Sequence, residues 1–383
     1  MYSIKSYGDM IADHVRTDAC VQALRQTVKP GSVVVDIGTG AGIFAILACK
    51  FGARKVYAIE PDEVIHLARR IAADNGCASC IEFIQGLSSQ VSLPERADVI
   101  IGDLHGRFTL FQQHIASIAD ARERFLAAGG ILIPQSDGLW AALVEAPERY
   151  RNYADPWVEN LYGLDMRAGA AVAASHIESG RVTPEQLLVP PQCWATLNFS
   201  TVVNPNVEAR LFWTAERAGT CHGVLAWFDT TTAKDVLIGN GPLSAVRPYS
   251  YTPIFFPWST PVALALGDTV AVDLKANLAG DDYLWRWSTQ VLAEGDPGRV
   301  KGEFKQSTFM AESLSMAKLR KQAASWTPSL NDEGRIDAFI LKLMGDGIEL
   351  GDIARQLANL YPGRFARWQD ALTRVGELSL KYS

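Results

Sequence analysis

The stretch Val33-Val34-Val35-Asp36-Ile37-Gly38-Thr39-Gly40-Ala41-Gly42-Ile43 constrains this chain more than any other. An apolar, β-branched run reads as a buried strand, and it ends on an acid before breaking into alternating glycines. A helix predicted from Phe44 to Phe51 follows, so bare backbone and a helix N-terminus face a ligand. The ligand this implies is a nucleoside.

Glycine spacing decides which nucleoside. A dinucleotide fingerprint, Gly-x-Gly-x-x-Gly, has a third glycine that permits close helix packing around a pyrophosphate. Here Ile43 occupies that place, and the pattern is Gly38-x-Gly40-x-Gly42 with Asp36 just ahead. The second predicted strand, Lys55-Val56-Tyr57-Ala58-Ile59, ends in Glu60, about twenty residues beyond the turn, where a carboxylate takes ribose hydroxyls. The combination points to S-adenosylmethionine; a turn that only packs leaves Glu60 unexplained.

A chain of 383 residues exceeds one hydrophobic core, so two or three domains are expected. Its formal net charge of -6, without a run of Lys or Arg, argues against a general nucleic-acid binder. No apolar stretch approaches the length of a membrane span, and Met1 to Asp13 lacks a basic-then-apolar signal. A cytoplasmic protein with no membrane partner is the expectation. The six cysteines are scattered, which fits reduced thiols. Cys77-x-x-Cys80 lacks two further ligands at zinc spacing, so no metal is expected.

Helical spacing runs through residues 7–28, where Met10, Ile11, Val15, Ala19, Val21 and Leu24 recur. Pro30-Gly31 breaks the chain, and strands and helices then alternate: strands at 33–37, 55–59, 81–85, 98–102 and 130–133, helices at 43–51, 62–75 and 109–127. The alternation predicts a parallel α/β sheet with its site at the strands' carboxyl ends. Beyond Pro134, short segments rich in Val, Leu, Trp and Tyr (138–146, 193–202, 208–216, 221–229, 261–275, 283–292) predict an antiparallel barrel or sandwich. Residues 299–325 read as a polar helical linker. Three short amphipathic helices follow.

The expected architecture is therefore α/β: an N-terminal helix (1–30), a Rossmann-like domain (31–135), an antiparallel β-barrel domain (136–298), the linker, and a small all-α domain (326–383). Several separated stretches of the first three hundred residues resemble the protein arginine methyltransferases. They are Tyr7-x-x-Met10-x-x-Asp13-x-x-Arg16-Thr17, Asp36-Ile-Gly38-Thr-Gly40-Ala-Gly42-Ile43, Lys55-Val-Tyr-Ala-Ile-Glu60, Ile133-Pro134, Tyr162-Gly163-Leu164-Asp165-Met166 and His222-Gly-Val-Leu-Ala-Trp-Phe-Asp229. The resemblance implies transfer of a methyl group from S-adenosylmethionine, a Rossmann-like sheet followed by a barrel, and a helical dimerisation arm. That arm is residues 155–190, and a homodimer follows. It also implies that Arg16 holds the methionine carboxylate, that Met10 lies by the sulfonium and that Glu60 takes the ribose. Asp36, Gly38, Gly40, Ile43, Pro61, Ser88 and Asp103 complete the expected cofactor contacts. Ser89 stands where the family often has a glutamate facing the adenine.

The acceptor loop departs from the family, whose two glutamates grip the guanidinium. Here the loop reads Gly102-Asp103-Leu104-His105-Gly106-Arg107-Phe108-Thr109-Leu110-Phe111-Gln112, so one glutamate is Asp103 and the other Gln112. The family's Thr-His-Trp loop aligns with Tyr249-Ser250-Tyr251, without its histidine. A guanidinium stays protonated at neutral pH, and two carboxylates localise its charge so that a nitrogen lone pair faces the methyl. One shorter acid and an amide do this less well. His105 and His114 stand where the family commonly has methionines, and an imidazole titrates near neutrality. Asp103, His105, Gln112 and His114 are the candidate catalytic residues, and Asp103 is placed to orient an imidazole base. The reading is a methyltransferase acting on a peptide or small molecule other than a standard protein arginine. True arginine methylation and a silent interaction protein are the alternatives, and histidines merely tolerated on a loop remain open.

The tail, Ser329-Leu-Asn331, Ile336-x-x-Phe339-Ile340-x-x-Leu343-Met344-Gly-Asp-Gly347, Ile353-Ala-x-x-Leu357 and Val375-x-x-Leu378, resembles the small winged-helix domain of the pyrroloquinoline-quinone peptide chaperone. That resemblance implies leader-peptide docking in the biosynthesis of ribosomally made natural products. The tail's acids slightly outnumber its bases, which gives little phosphate attraction and disfavours nucleic acid. A packing module that stabilises the dimer is the alternative.

Overall fold

A computed structural model describes residues 2–159, 161–312 and 315–383, so expectations touching residues 1, 160, 313 and 314 lie there outside the described residues. The chain divides into two compact units, Met1–Ser313 and Leu314–Ser383.

The first unit begins with α1 (Ile4–Ala12) and α2 (His14–Thr27), not the single helix predicted over 7–28. Asp13 makes the break. It is buried, its ψ of 83° is non-helical, and its carboxylate accepts from Ser250 N at 2.8 Å instead of capping α2. Next come β1 (Val33–Ile37), α3 (Ile43–Lys50), β2 (Lys55–Glu60), α4 (Val64–Asp74), β3 (Ile81–Gln85), β4 (Ala97–Ile101), α5 (His114–Phe125) and β5 (Leu126–Ile133). The five strands form a sheet in the order β3-β2-β1-β4-β5, parallel throughout. All five residues of β1 are buried, as a central parallel strand covered on both faces requires. The order reverses beside β1, and the crevice at the carboxyl ends of β1 and β4 is where such sheets bind ligands. The helix predicted over 109–127 starts only at His114, because Gly106 (φ 58°) and Gln112 (φ 44°) turn the preceding segment.

The antiparallel part follows as β6 (Ser136–Val144), α6 (Pro147–Val158), α7 (Arg167–Ala173), β7 (Glu178–Ser179), β8 (Gln192–Asn198), β9 (Val207–Thr214), β10 (Gly219–Ala233), β11 (Val236–Gly239), β12 (Ile254–Leu264), β13 (Thr269–Ala279), β14 (Asp282–Ala293) and β15 (Asp296–Ser307). One sheet runs β7-β12-β10-β6-β8, with β11 also paired to β10, and the other β15-β14-β13-β9. A single apolar cluster continues from the parallel sheet (Val35, Ile37, Ile100) into both (Phe228, Phe256, Trp258, Trp287). The predicted strand 261–275 is two strands, β12 and β13, because Gly267 (φ 87°) turns the chain and Asp268 accepts from Ala265 N at 2.7 Å.

The polar linker predicted over 299–325 is likewise corrected: its first part is β15, antiparallel to β14. Lys301, Glu303 and Lys305 are the charges of an outer strand, which blunt an edge that would otherwise pair with other chains.

The second unit holds α8 (Met316–Gln322), α9 (Asp332–Gly345), α10 (Leu350–Leu360) and α11 (Trp368–Tyr382), with no strand among its described residues. Asn331 caps α9 by accepting from Gly334 N at 2.8 Å. Ile336, Ile340, Ile353, Leu357, Val375 and Leu378 form the core, and Arg374 ties α11 to α9 through both Asp337 oxygens at 2.9 and 2.6 Å. With so small a core, Ile340→Ala is expected to cost about 2–5 kcal/mol. Hydrogen exchange of the full chain is expected to show loss of amide protection in α9 to α11 while β1 and β4 stay protected.

Candidate functional site

The cofactor end is built from the turn after β1. Gly38, Gly40 and Gly42 all have positive φ (70°, 52° and 85°), which L side chains rarely adopt. Space is equally exacting: a Cβ on Gly38 would lie 2.8 Å from Leu104 Cδ2, and one on Gly40 2.8 Å from Tyr7 Cε1. Asp36, fully buried, accepts from Thr39 Oγ1 at 2.6 Å and from Ala45 N at 3.0 Å, so it braces the turn from beneath. Burial pushes its carboxyl up to about 7, against the pull of those two bonds. Ile43 opens α3, whose cap residue Gly42 offers no side chain to its free N–H groups.

Glu60 closes β2, nearly buried, with Oε2 accepting from Gly40 N at 2.9 Å and Oε1 from Asp62 N at 3.0 Å. Desolvation raises its pKa, partly offset by those two bonds. A carboxylate offers about four lone-pair positions, so each oxygen retains one for a ribose hydroxyl. Pro61 is exposed beside it, and Ser88 is buried with its carbonyl taken by Arg124 Nη2 at 2.6 Å. Met10 O accepts from Arg16 Nη1 at 3.2 Å, which ties the Met10 backbone to the guanidinium. The turn, the doubly anchored Glu60 and the bare helix end fit an S-adenosylmethionine nucleoside.

The acceptor end converges on Asp103, just beyond β4. Its Oδ2 takes Arg16 Nε, and its Oδ1 takes His105 Nδ1 at 2.9 Å and Tyr251 Oη at 2.6 Å. Burial alone would raise its pKa, but Arg16 and His105 hold it well below the usual carboxylate range. His105 is sandwiched: Nε2 lies 2.9 Å from Asp137 Oδ2, and its ring stacks on Phe228 at 5.1 Å between centroids. Burial disfavours the imidazolium, but Asp137 and Asp103 outweigh it and raise the pKa to about 10. The cation donates through both nitrogens.

These contacts revise the roles read from sequence. With both nitrogens engaged and its proton held firmly, His105 positions Asp103 and is not a free base. His114 is also buried, 4.7 Å from the His105 ring, and its Nδ1 donates to Thr109 O at 2.9 Å. Burial and the neighbouring cation lower its pKa to about 4, so it is neutral and a weak base. Gln112 is exposed and held at positive φ, away from the buried cluster.

Sequence reasoning missed Asp137 and Thr109, which donates to Asp137 Oδ2 at 2.7 Å. A signal existed: Asp137 shares the period-two face of β6 with buried Leu139 and Ala141, so it points inward.

Together the sheet, its glycine turn and the appended antiparallel sheets define the fold of the protein arginine methyltransferases. A family profile described as ribosomal protein L11 methyltransferase matches residues 11–149, and one described as arginine methyltransferase oligomerization subdomain matches residues 135–288. The chain is 30% identical over 234 residues to a probable protein arginine N-methyltransferase 6 of Arabidopsis thaliana, covering 58% of this chain and 53% of that one. It is 28% identical over 257 residues to a protein arginine N-methyltransferase 1 of Oryza sativa, covering 65% of this chain and 66% of the relative, so it spans less than two thirds of the length of both. Among solved structures, Arabidopsis thaliana protein arginine methyltransferase 10 aligns with a TM-score of 0.70 at 23% identity, over 80% of this chain and 97% of that one. A Trypanosoma brucei PRMT1 enzyme-prozyme complex with AdoHcy aligns with a TM-score of 0.71 at 22% identity, over 79% and 96%.

Because the His105 pKa is raised from 6.5 to about 10, the stability the imidazolium contributes is complete below pH 6.5 and lost as pH climbs through 10. Side-chain nitrogen NMR at pH 8 is therefore expected to show both His105 N–H groups, and Asp137→Asn to bring the titration down. Titration near 6.5 in the unaltered chain would contradict this geometry.

Proposed function

We propose that the chain is an S-adenosylmethionine-dependent methyltransferase of the protein arginine methyltransferase type, acting on a peptide or small molecule other than a standard protein arginine. The observation that carries this is the commitment of Asp103 to Arg16, His105 and Tyr251, with the exposed Gln112 where a second gripping acid is expected. A guanidinium entering here meets an anion already neutralised, and Gln112 supplies no carboxylate to localise its charge.

The bound cofactor supplies a methyl group on a positively charged sulfur. Asp36 and the glycines shape the adenosine seat, Glu60 takes the ribose hydroxyls, and Arg16, beside Met10 O, takes the carboxylate. Ile43, Pro61 and Ser88 border the nucleoside. Since neither histidine is a free base, the acceptor atom brings its own lone pair at neutral pH, as an imidazole nitrogen or a carboxylate does. The site then works by alignment, with Asp103, His105 and Tyr251 fixing the wall against which the acceptor rests. Residues 155–190, with exposed Trp157, Leu164 and Met166, serve as the arm of a homodimer. The resemblance of the C-terminal tail to a peptide-chaperone domain supports reading it as a leader-peptide dock, with the reaction belonging to natural-product biosynthesis in the cytoplasm.

Ordinary arginine methylation is the second reading, favoured by the names of the relatives. Calorimetry is expected to detect S-adenosylmethionine binding, weakened about tenfold to a hundredfold by Glu60→Gln, since a hydrogen bond to a charged group contributes about 1.5–3 kcal/mol. Conversion to S-adenosylhomocysteine is expected with an imidazole- or carboxylate-bearing peptide and not with an arginine-glycine peptide. His105→Ala is expected to abolish it and, because Asp103 and Asp137 lose their shared cation, to lower the melting temperature as well. Turnover on the arginine peptide alone selects the second reading, and absence of cofactor binding ends both.

A further inference from the structure

Three arginines from three segments meet around residues 179–181: Arg107 from the loop beyond β4, Arg149 from α6 and Arg181 from just beyond β7. Arg107, exposed two residues beyond His105, reaches Ser179 Oγ with Nη1 at 3.4 Å, and its carbonyl accepts from Thr252 N at 3.3 Å. Arg149 donates to Arg181 O at 3.0 and 2.7 Å and to Ser179 O at 3.4 Å. Its guanidinium fills the space over Gly180, where a Cβ would lie 1.6 Å from Nη1. Arg181 donates through Nη2 to Pro248 O at 2.5 Å and Tyr251 O at 3.3 Å, on the loop whose tyrosine bonds Asp103.

Every one of these bonds goes to a neutral oxygen. Among the described residues, no carboxylate lies within 4.0 Å of any of the three guanidinium groups; exposed Glu178 is the acid that acts on Arg149 from farther off. Carbonyls and a hydroxyl orient a guanidinium without neutralising it. An Arg carries five N–H donors, so Arg107 and Arg181 retain several for a further acceptor. Asp103, meanwhile, is balanced by Arg16 and His105, and His105 by Asp137. The three guanidinium groups beside the acceptor end are thus without an ion-pair partner among the described residues, and they outnumber Glu178 on their own segment and Asp13 beneath the loop that Arg181 reaches, on a chain whose net charge is -6.

We infer that Arg107, Arg149 and Arg181 bind carboxylates of an acidic peptide, so that the acceptor carries Glu or Asp beside the methylated residue. This rests on the methyl-acceptor reading of the Asp103 end. Planar guanidinium groups pair with carboxylates through two parallel bonds, stronger than neutral ones. Arg149 and Arg181 are pinned by backbone carbonyls, so little order remains to be gained on binding.

The test uses the full chain and two fluorescein-labelled decapeptides, one alternating glutamate and glycine, the other lysine and glycine. Net negative charge by itself favours the lysine peptide. The expected result is the reverse: the glutamate peptide binds more tightly, and less so as salt rises. Arg107→Glu is expected to weaken it at least tenfold and Arg107→Lys to retain most of the affinity, with unchanged circular dichroism in both. Equal or stronger binding of the lysine peptide, or glutamate-peptide affinity unmoved by Arg107→Glu, overturns the inference. Calorimetry with S-adenosylhomocysteine, run alongside, separates the two levels. Nucleoside binding without acidic preference sinks this inference alone, whereas absent nucleoside binding sinks the methyltransferase reading.

Discussion

The buried carboxylate of Asp103 is the point on which the N-terminal helix, the parallel sheet and the antiparallel sheets depend together. A carboxylate taken out of water costs several kcal/mol unless cations and donors meet it. Here Arg16 comes from α2, His105 from the loop beyond β4, and Tyr251 from the segment ahead of β12. His105 then needs a second anion, and β6 supplies Asp137. Two anions and two cations interleave, and removing any one leaves an uncompensated charge in the interior. The pairing therefore fixes how sheet and barrel meet as well as the shape of the crevice between them.

That arrangement has a chemical consequence. An acid held well below its ordinary pKa is a poor proton acceptor, and an imidazole bonded through both nitrogens is no better. His114, neutral and buried against Thr109, has too low a pKa to replace them. Asp103 and His105, which look most like acid-base machinery in the sequence, are paired ions, and His114 is neutral; the reading proposed above therefore assigns transfer to an atom that already carries its lone pair.

Much of this was legible in the sequence where a local pattern carried it. The β-branched run, the alternating glycines and the acid ending the second strand locate the turn after β1 and Glu60, because strand burial and left-handed backbone leave residue-level marks. What escaped was non-local. Asp137 lies 32 residues from His105 in the chain, and no spacing rule joins them. The strand β15 escaped for another reason: its Lys and Glu residues resemble a solvated helix face, while pairing with β14 decides its conformation. The break at Asp13 depends on Ser250, far along the chain. Tertiary partners override local periodicity at each of these places.

Charge shows the same difference between local and summed descriptions. A net charge of -6 excludes a general affinity for polyanions, and the sequence supports no finer statement. Yet at physiological ionic strength a charge is felt over about 8 Å, so a ligand responds to the groups lining its own path. On that scale the interior of the site is balanced ion against ion, while the adjoining rim holds guanidinium groups whose partners are carbonyls and a hydroxyl. A cationic acceptor therefore meets repulsion at the rim, and at the acceptor end it meets Asp103 already paired with Arg16 and His105. Under the proposed reading, both features suit an acceptor that is not cationic at its reacting atom and is acidic beside it, and both follow from where the fold has placed its arginines.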